Sequence, residues 1–247
     1  MSTRDLVCVA LVVSGCTSAG VTPSAMESPR LGLEATPAQI AGWDISVGPD
    51  GATHQALEDI ALMRVLPRMV VIVPCDAIEA EKATLAAAFN DQPTYLRLGR
   101  EKTTVVTTNE TEFVVGKALK LREGADVAII ACGTLVAEAL LAANALAREG
   151  IQCTVINNHT VKPMDTEAVL AAAKECGAIV TAEEHQIAGG MGSAVAEILA
   201  RLYPVPVEFV GMQNRFGESG SPAELMKAFG LSSEGISDAV RRVLKRK

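Results

Sequence analysis

The sequence predicts an α/β protein: a C-terminal three-layer domain on a parallel or mixed sheet, preceded by a partial α/β domain. Three observations carry this. Short β-branched runs alternate with helical segments from residue 45 onward, which argues for parallel sheet wrapped by helices. The connections between them are short. Hydrophobicity comes from small residues: 49% of the 247 residues are hydrophobic, yet only eight are aromatic (one Trp, two Tyr, five Phe), which suits close helix-on-sheet layers.

Taken in order, Met69–Pro74 is a short apolar run that reads as a buried strand. Asp76 is placed to cap a helix over Ala77–Phe89. Thr94–Leu98 is the next strand, and Gly99–Lys120 reads as a connector with an extended stretch at Glu112–Val115. A second unit begins near Gly124, with a strand at Asp126–Ala131 and a helix opened by Gly133 and Thr134 and stopped by Gly150. Gln152–Asn157 is a strand, and Asp165 caps a helix over Thr166–Glu175 that Gly177 ends. Ala178–Ala182 and Val207–Val210 are strands on either side of a helix at Gly192–Leu202. Ala223–Phe229 is a short helix, and Ser233 caps a last one. Two strands cannot cover both faces of a sheet, so residues 45–123 read as the tail of a larger α/β domain and 124–247 as a complete one.

Composition excludes several classes. There are 22 basic and 29 acidic residues, a net charge of -7, which is a poor match to nucleic acid or an anionic membrane surface. The longest apolar run, Leu6–Val13, has eight residues, against about 20 needed to span a bilayer. Six cysteines are widely spaced with no C-x-x-C, which reads as buried thiols in a reducing cytoplasm. Three scattered histidines offer no metal-ligand spacing.

Residues 1–44 stand apart, with no lysine, nine Ser/Thr and three prolines. Small residues before Cys16, after an apolar stretch, fit a lipoprotein signal. Against this, Asp5 cancels Arg4 and the apolar stretch is short, which favours a hydrophobic segment packing on the domain or a start that is not native sequence.

Four motifs can carry chemistry, each beside a plainer reading. In Gly48-Pro49-Asp50-Gly51-Ala52-Thr53-His54-Gln55, a tight turn leads to a helix that Thr53 can cap. Asp50 can then accept from a substrate hydroxyl, and His54 can donate to an oxyanion or relay a proton near neutral pH. The alternative is a turn aspartate and a capping-region histidine. Arg97-Leu98-Gly99-Arg100 ends a strand, where open parallel sheets bind ligands. Alternation turns Arg100 away from Tyr95 and Arg97 and leaves it placed for a phosphate; the alternative is two surface arginines. Gly189-Gly190-Met191-Gly192 lies between strand and helix, where it can cradle a phosphate or permit close packing. Its G-G-x-G spacing is not the dinucleotide fingerprint. Glu183, Glu184 and His185 just upstream suit an interface or a cleft. The basic C-terminus, from Arg241 to Lys247, is explained by the dipole of the last helix.

These motifs fall in the order of one family. Gly48–Arg64 (GPDGATHQALEDIALMR) resembles the segment closing the pyrimidine-binding domain of transketolases, and Tyr95–Arg100 (YLRLGR) the strand end after it. Asn158–Asp165 (NHTVKPMD), Thr181–Gly192 (TAEEHQIAGGMG) and Gly217–Gly230 (GESGSPAELMKAFG) resemble the family's C-terminal domain. The likeness runs over about residues 45–247, in the shape of the C-terminal subunit of split transketolases.

The resemblance implies two-carbon ketol transfer between sugar phosphates in the pentose phosphate pathway, with thiamine diphosphate and Mg²⁺ carrying the chemistry. It implies a catalytic role for His54 near the cofactor and the reacting oxygen. It implies sugar binding by Asp50, at a hydroxyl, and by Arg100, at the terminal phosphate. Cofactor and metal are held with an N-terminal transketolase subunit as partner, in a homodimer or heterotetramer. The family's activating glutamate and its stacking phenylalanines have no match in residues 1–44: there is no Phe before Phe89, and Gly42 stands where the family has a histidine. A frameshift or truncated reading frame gives such a pattern, and the chain alone is expected to be inactive. Deoxyxylulose-phosphate synthase and the β subunit of 2-oxo acid dehydrogenases are the rival enzymes. A non-catalytic dimerisation or docking module is the rival of another class.

Overall fold

A computed structural model describes residues 55–99 and 102–247. Two sheets organise them. The smaller has the order β2-β1-β6, with β1 at Val70–Ile72, β2 at Thr94–Leu96 and β6 at Thr160–Lys162. The larger has the order β3-β5-β4-β7-β8, with β3 at Leu119–Arg122, β4 at Val127–Ala131, β5 at Cys153–Asn157, β7 at Ile179–Gln186 and β8 at Val207–Met212. Strands β5, β4, β7 and β8 are parallel and β3 is an antiparallel edge.

The large sheet is covered on both faces. Residues Val127, Ile129 and Ala131 of β4 pack with α3 (Leu135–Arg148) and α7 (Ser233–Leu244). Ala128 and Ile130 between them pack with α4 (Thr166–Cys176) and α5 (Met191–Leu202). All five residues of β4 are buried, so this strand reads as a continuous apolar run rather than an alternating one. The α/β class and the layered C-terminal sheet are therefore as the sequence predicts.

Local signals place most element ends. Asp76 accepts from Glu79 N at the start of α2 (Ala77–Ala88), and Asp165 accepts from Ala168 N at the start of α4. Gly177 closes α4 with φ of 65°, a conformation that favours glycine. The expected Ser233 cap is instead Ser232, whose side chain accepts from Gly235 N. At α6 (Pro222–Ala228), Ser221 and Glu224 form a capping box.

Three departures from the sequence reading matter for the site. First, β6 is an unpredicted strand that leaves the C-terminal unit and pairs antiparallel with β1, Val71 opposite Lys162 and Ile72 opposite Thr160. Second, β3 starts at the end of the predicted connector and joins the large sheet through β5, while Glu112–Val115 forms no strand. Third, β7 runs four residues past Ala182 to Gln186. Its last polar residues can stay in the sheet because other elements satisfy their side chains, as described next.

Candidate functional site

Asp50, His54 and Arg100 lie outside the described residues, as does Thr53. The first described helix, α1 (Asp59–Val65), begins after Glu58, and residues 55–58 are not helical. What the structure does describe is how the chain is held on the far side of His54 and just before Arg100.

Both stretches meet in one buried polar seam. Arg97, at the end of β2, is only 5% exposed. Its Nε donates to Asp59 Oδ2 at 3.0 Å and its Nη2 to the Ala56 carbonyl at 3.0 Å. Its Nη1 lies 3.7 Å from Glu184 Oε2 on β7. Tyr95 Oη donates to the same Asp59 oxygen at 2.8 Å, and Thr134 Oγ1 to Glu184 Oε2 at 3.2 Å. Asp59 Oδ1 is buried with no hydrogen-bond partner among the described residues. Burial alone would weaken the guanidinium's hold on its proton; the Asp59 and Glu184 carboxylates reverse this and keep it charged. Burial, with Asp59 beside it, keeps the Tyr95 phenol protonated. Arg97 is thus neither of the surface arginines that the plainer sequence reading allowed. The signal was present in the alternation that pairs Tyr95 with Arg97, but not its partners, which come from α1 and β7.

The C-terminal unit grips the same stretch at further points. Gln55, next in the chain after His54, donates from Nε2 to the Glu218 carbonyl at 3.0 Å. The Leu57 carbonyl accepts from Gln186 N at 2.8 Å, and Ala61 N donates to His185 Nε2 at 3.3 Å. His185 has its pKa lowered by burial, which favours the neutral ring that this contact needs.

The glycine-rich turn holds no phosphate cradle open. Met191 N and Gly192 N, at the start of α5, donate to the Glu183 carboxylate at 2.6 and 2.8 Å. The helix N-terminus is filled by the chain's own anion. Burial pushes the Glu183 carboxyl up to about 7, against the pull of those two N–H groups and of Arg97. A Cβ on Gly190 would lie 2.2 Å from Glu183 Oε2, and one on Gly189 would lie 2.8 Å from Ala61 Cβ. The turn also receives Arg64 of α1, which donates to the Gly189 carbonyl at 2.6 Å and to the Gly190 carbonyl at 3.1 Å. Of the two sequence readings, close packing is the one observed.

A second buried acidic site lies at the start of α2. Asp76 accepts from Glu79 N, Val106 N, Thr107 N and Thr107 Oγ1 at 2.6–2.9 Å. Burial would raise its pKa, but these four donors hold it below the usual carboxylate range. Glu79 accepts from Cys75 N and Asn157 Nδ2, both at 2.7 Å, and its pKa is raised by burial. His159 is buried and stacked on Phe113 with centroids 4.3 Å apart, and burial lowers its pKa to about 4. Cys75, Cys132, Cys153 and Cys176 are free and buried.

Among the described residues, no group of three His, Cys, Asp or Glu side chains can hold a metal ion, and no helix is long and apolar enough to cross a membrane. Each buried carboxylate from Asp59 to Glu184 accepts from a donor of this chain, and among the described residues the one aromatic stack is Phe113 on His159.

Comparison with known proteins agrees with the motif order. Residues 35–105 match the transketolase pyrimidine-binding domain, and residues 116–236 match the transketolase C-terminal domain. The first match begins ten residues before Ile45, where the motifs fade. The chain is 46% identical over 198 residues to a 6-deoxy-6-sulfo-D-fructose transketolase subunit of Clostridium sp. (strain MSTE9), covering 80% of this chain and 62% of that protein. It is 40% identical over 200 residues to a 1-deoxy-D-xylulose-5-phosphate synthase of Symbiobacterium thermophilum, covering 80% of this chain and 31% of that one. A solved split-gene transketolase, described as an inactive beta4 tetramer, superposes with a TM-score of 0.74 at 43% identity, covering 78% of this chain and 63% of the other. The chain spans a little under two thirds of the length of the split-subunit relatives it matches.

Proposed function

The chain belongs to the transketolase family, and from this premise we propose that it is the C-terminal subunit of a split transketolase, or a fragment of one, that serves ketol transfer between sugar phosphates. The observation that carries this is the position of GPDGATHQ inside the matched pyrimidine-binding segment, with YLRLGR after it and the seam between them. In this reading Asp50 accepts from a sugar hydroxyl and Arg100 holds the terminal phosphate by its fork. His54 passes or receives a proton at the reacting oxygen. Thiamine diphosphate supplies the electron sink when bound, and it and Mg²⁺ are held with an N-terminal transketolase subunit. The same proposal divides the chain at 123/124 into a partial pyrimidine-binding unit and a C-terminal domain, and takes residues 1–44 as no working pyrimidine-binding domain. It places the protein in the cytoplasm, which the four buried free thiols support.

The test is ketol transfer from xylulose 5-phosphate to ribose 5-phosphate with thiamine diphosphate and Mg²⁺. The chain is assayed alone and with an N-terminal subunit, and sugar-phosphate binding is measured on the pair. We expect binding by the pair and no transfer by the chain alone. Transfer by the chain alone would show that it needs no partner. A pair that neither binds nor transfers would leave a docking module. Turnover of pyruvate in place of the ketose would favour the deoxyxylulose-phosphate synthase reading, to which the 40% identity gives weight.

A further inference from the structure

We propose that Arg97 is a positioning residue, whose guanidinium fork fixes the two stretches that lead into His54 and Arg100 relative to each other. This rests on the ketol-transfer reading above for its functional consequence, and on the described geometry for the clamp itself.

Arg97 stands three residues before Arg100 and reaches Ala56, two residues after His54. Three contacts leave one planar group in different directions: Nε to Asp59 Oδ2, Nη2 to the Ala56 carbonyl, and Nη1 toward Glu184. The first comes from the first residue of α1 and the second from the turn entering it; the third comes from β7 of the large sheet. One buried side chain thereby ties the end of β2, the entry to α1 and the large sheet. A point charge cannot do this, because an ammonium has no fixed fork. Tyr95, one pleat earlier on the same face, orients the Asp59 carboxylate from the other side. Charge balance alone does not explain the arrangement: the Ala56 carbonyl carries no charge, and a 3.0 Å bond to it adds only direction. Displacement of a binding group by about 1 Å can cost on the order of 100-fold in rate, so a fixed separation between these stretches has a function to protect.

The test uses the full chain and its complex with an N-terminal subunit, comparing wild type with Arg97→Lys and Asp59→Asn. Arg97→Lys keeps a positive charge between the two carboxylates and removes the fork. Amide hydrogen exchange is followed over residues 55–59 and 95–99, with β4 as an internal reference. Expected in both variants is faster exchange in those two stretches, with β4 unchanged, and a dissociation constant for ribose 5-phosphate raised roughly 10-fold in the complex. A charge-filling role would be restored by lysine, so wild-type exchange in Arg97→Lys overturns the proposal. Exchange that rises evenly over the chain, β4 included, also overturns it, because that is general destabilisation. If the wild-type complex binds no sugar phosphate, the ketol-transfer reading fails, while the exchange data still judge the clamp.

Discussion

The N-termini of α2 and α5 each hold a buried carboxylate, and the two behave oppositely. At α2, Asp76 accepts four hydrogen bonds and its pKa falls. At α5, Glu183 accepts two and its pKa rises to about 7. Both have little contact with solvent, at 3% and 1% exposure, but Glu183 is packed more deeply and burial acts more strongly on it. The donors differ as well. Asp76 recruits a loop, Val106 and Thr107, in addition to its own helix. Glu183 is enclosed by Gly190 and Gly192, takes two backbone N–H groups, and feels Arg97 and Arg64 through their charge. A helix end offsets only part of the cost of burying a charge; depth of burial and further donors together decide which ionisation state is favoured.

The comparison breaks most severely at the glycines. Gly190→Val would put a Cβ where the Glu183 carboxylate lies, 2.2 Å from its Oε2. The displaced group stays buried without its backbone donors, and we expect a loss of about 4 kcal/mol in urea denaturation. The equivalent insult is not available at Asp76, whose helix start has no such glycine.

The next effect is one of pH. The folded-state pKa of Glu183 is about 7 against an ordinary 4.5, so the folded protein binds this proton more tightly than the unfolded chain. Its contribution is full below pH 4.5 and is lost as pH rises through 7, to a total of roughly 3 kcal/mol. Glu183→Gln should flatten that decline. A wild-type stability profile with no decline between pH 5 and pH 8, in the same buffers, would refute this account of the α5 site.

Asp76 gives the opposite sign. Its lowered pKa contributes stability above the ordinary 3.8 that is lost as pH falls through the folded value. Asp76→Ala removes the cap and strands the amides of Val106 and Thr107, for an expected loss of about 2 kcal/mol in urea denaturation at pH 7. Exchange of those two amides should quicken first. Equal protection in wild type and variant would mean that the loop is held by something else.

The smallest effect belongs to the surface. Arg241 on α7 pairs with Glu149 and Asp238, each at 2.7 Å, with the arginine side chain 42% exposed. Arg241→Ala should move the urea midpoint by less than about 0.5 kcal/mol, because exposed pairs exchange one solvated state for another. A larger shift would show that the basic end of α7 does more than complement its dipole.

The sequence by itself determined much of this protein. It set the α/β class, the apolar strand β4, the caps at Asp76 and Asp165 and the left-handed Gly177, because each depends on residues within one turn or one strand. The family motifs were equally legible, since they are short and fall in a fixed order. The third dimension decided the rest. Strand β6 had no local signature, because three residues, Thr160–Lys162, become a strand only where β1 offers them an edge. Strand β7 was cut short at Ala182 because Glu183, Glu184 and His185 read as a polar exit; their partners sit on α5, β2 and α1, far away in sequence. Whether Arg97 is a surface cation stays open in the sequence for the same reason. A buried charge is tolerated only where its counter-charges arrive, and their arrival is a property of the packed layers, not of the run Tyr95–Arg100.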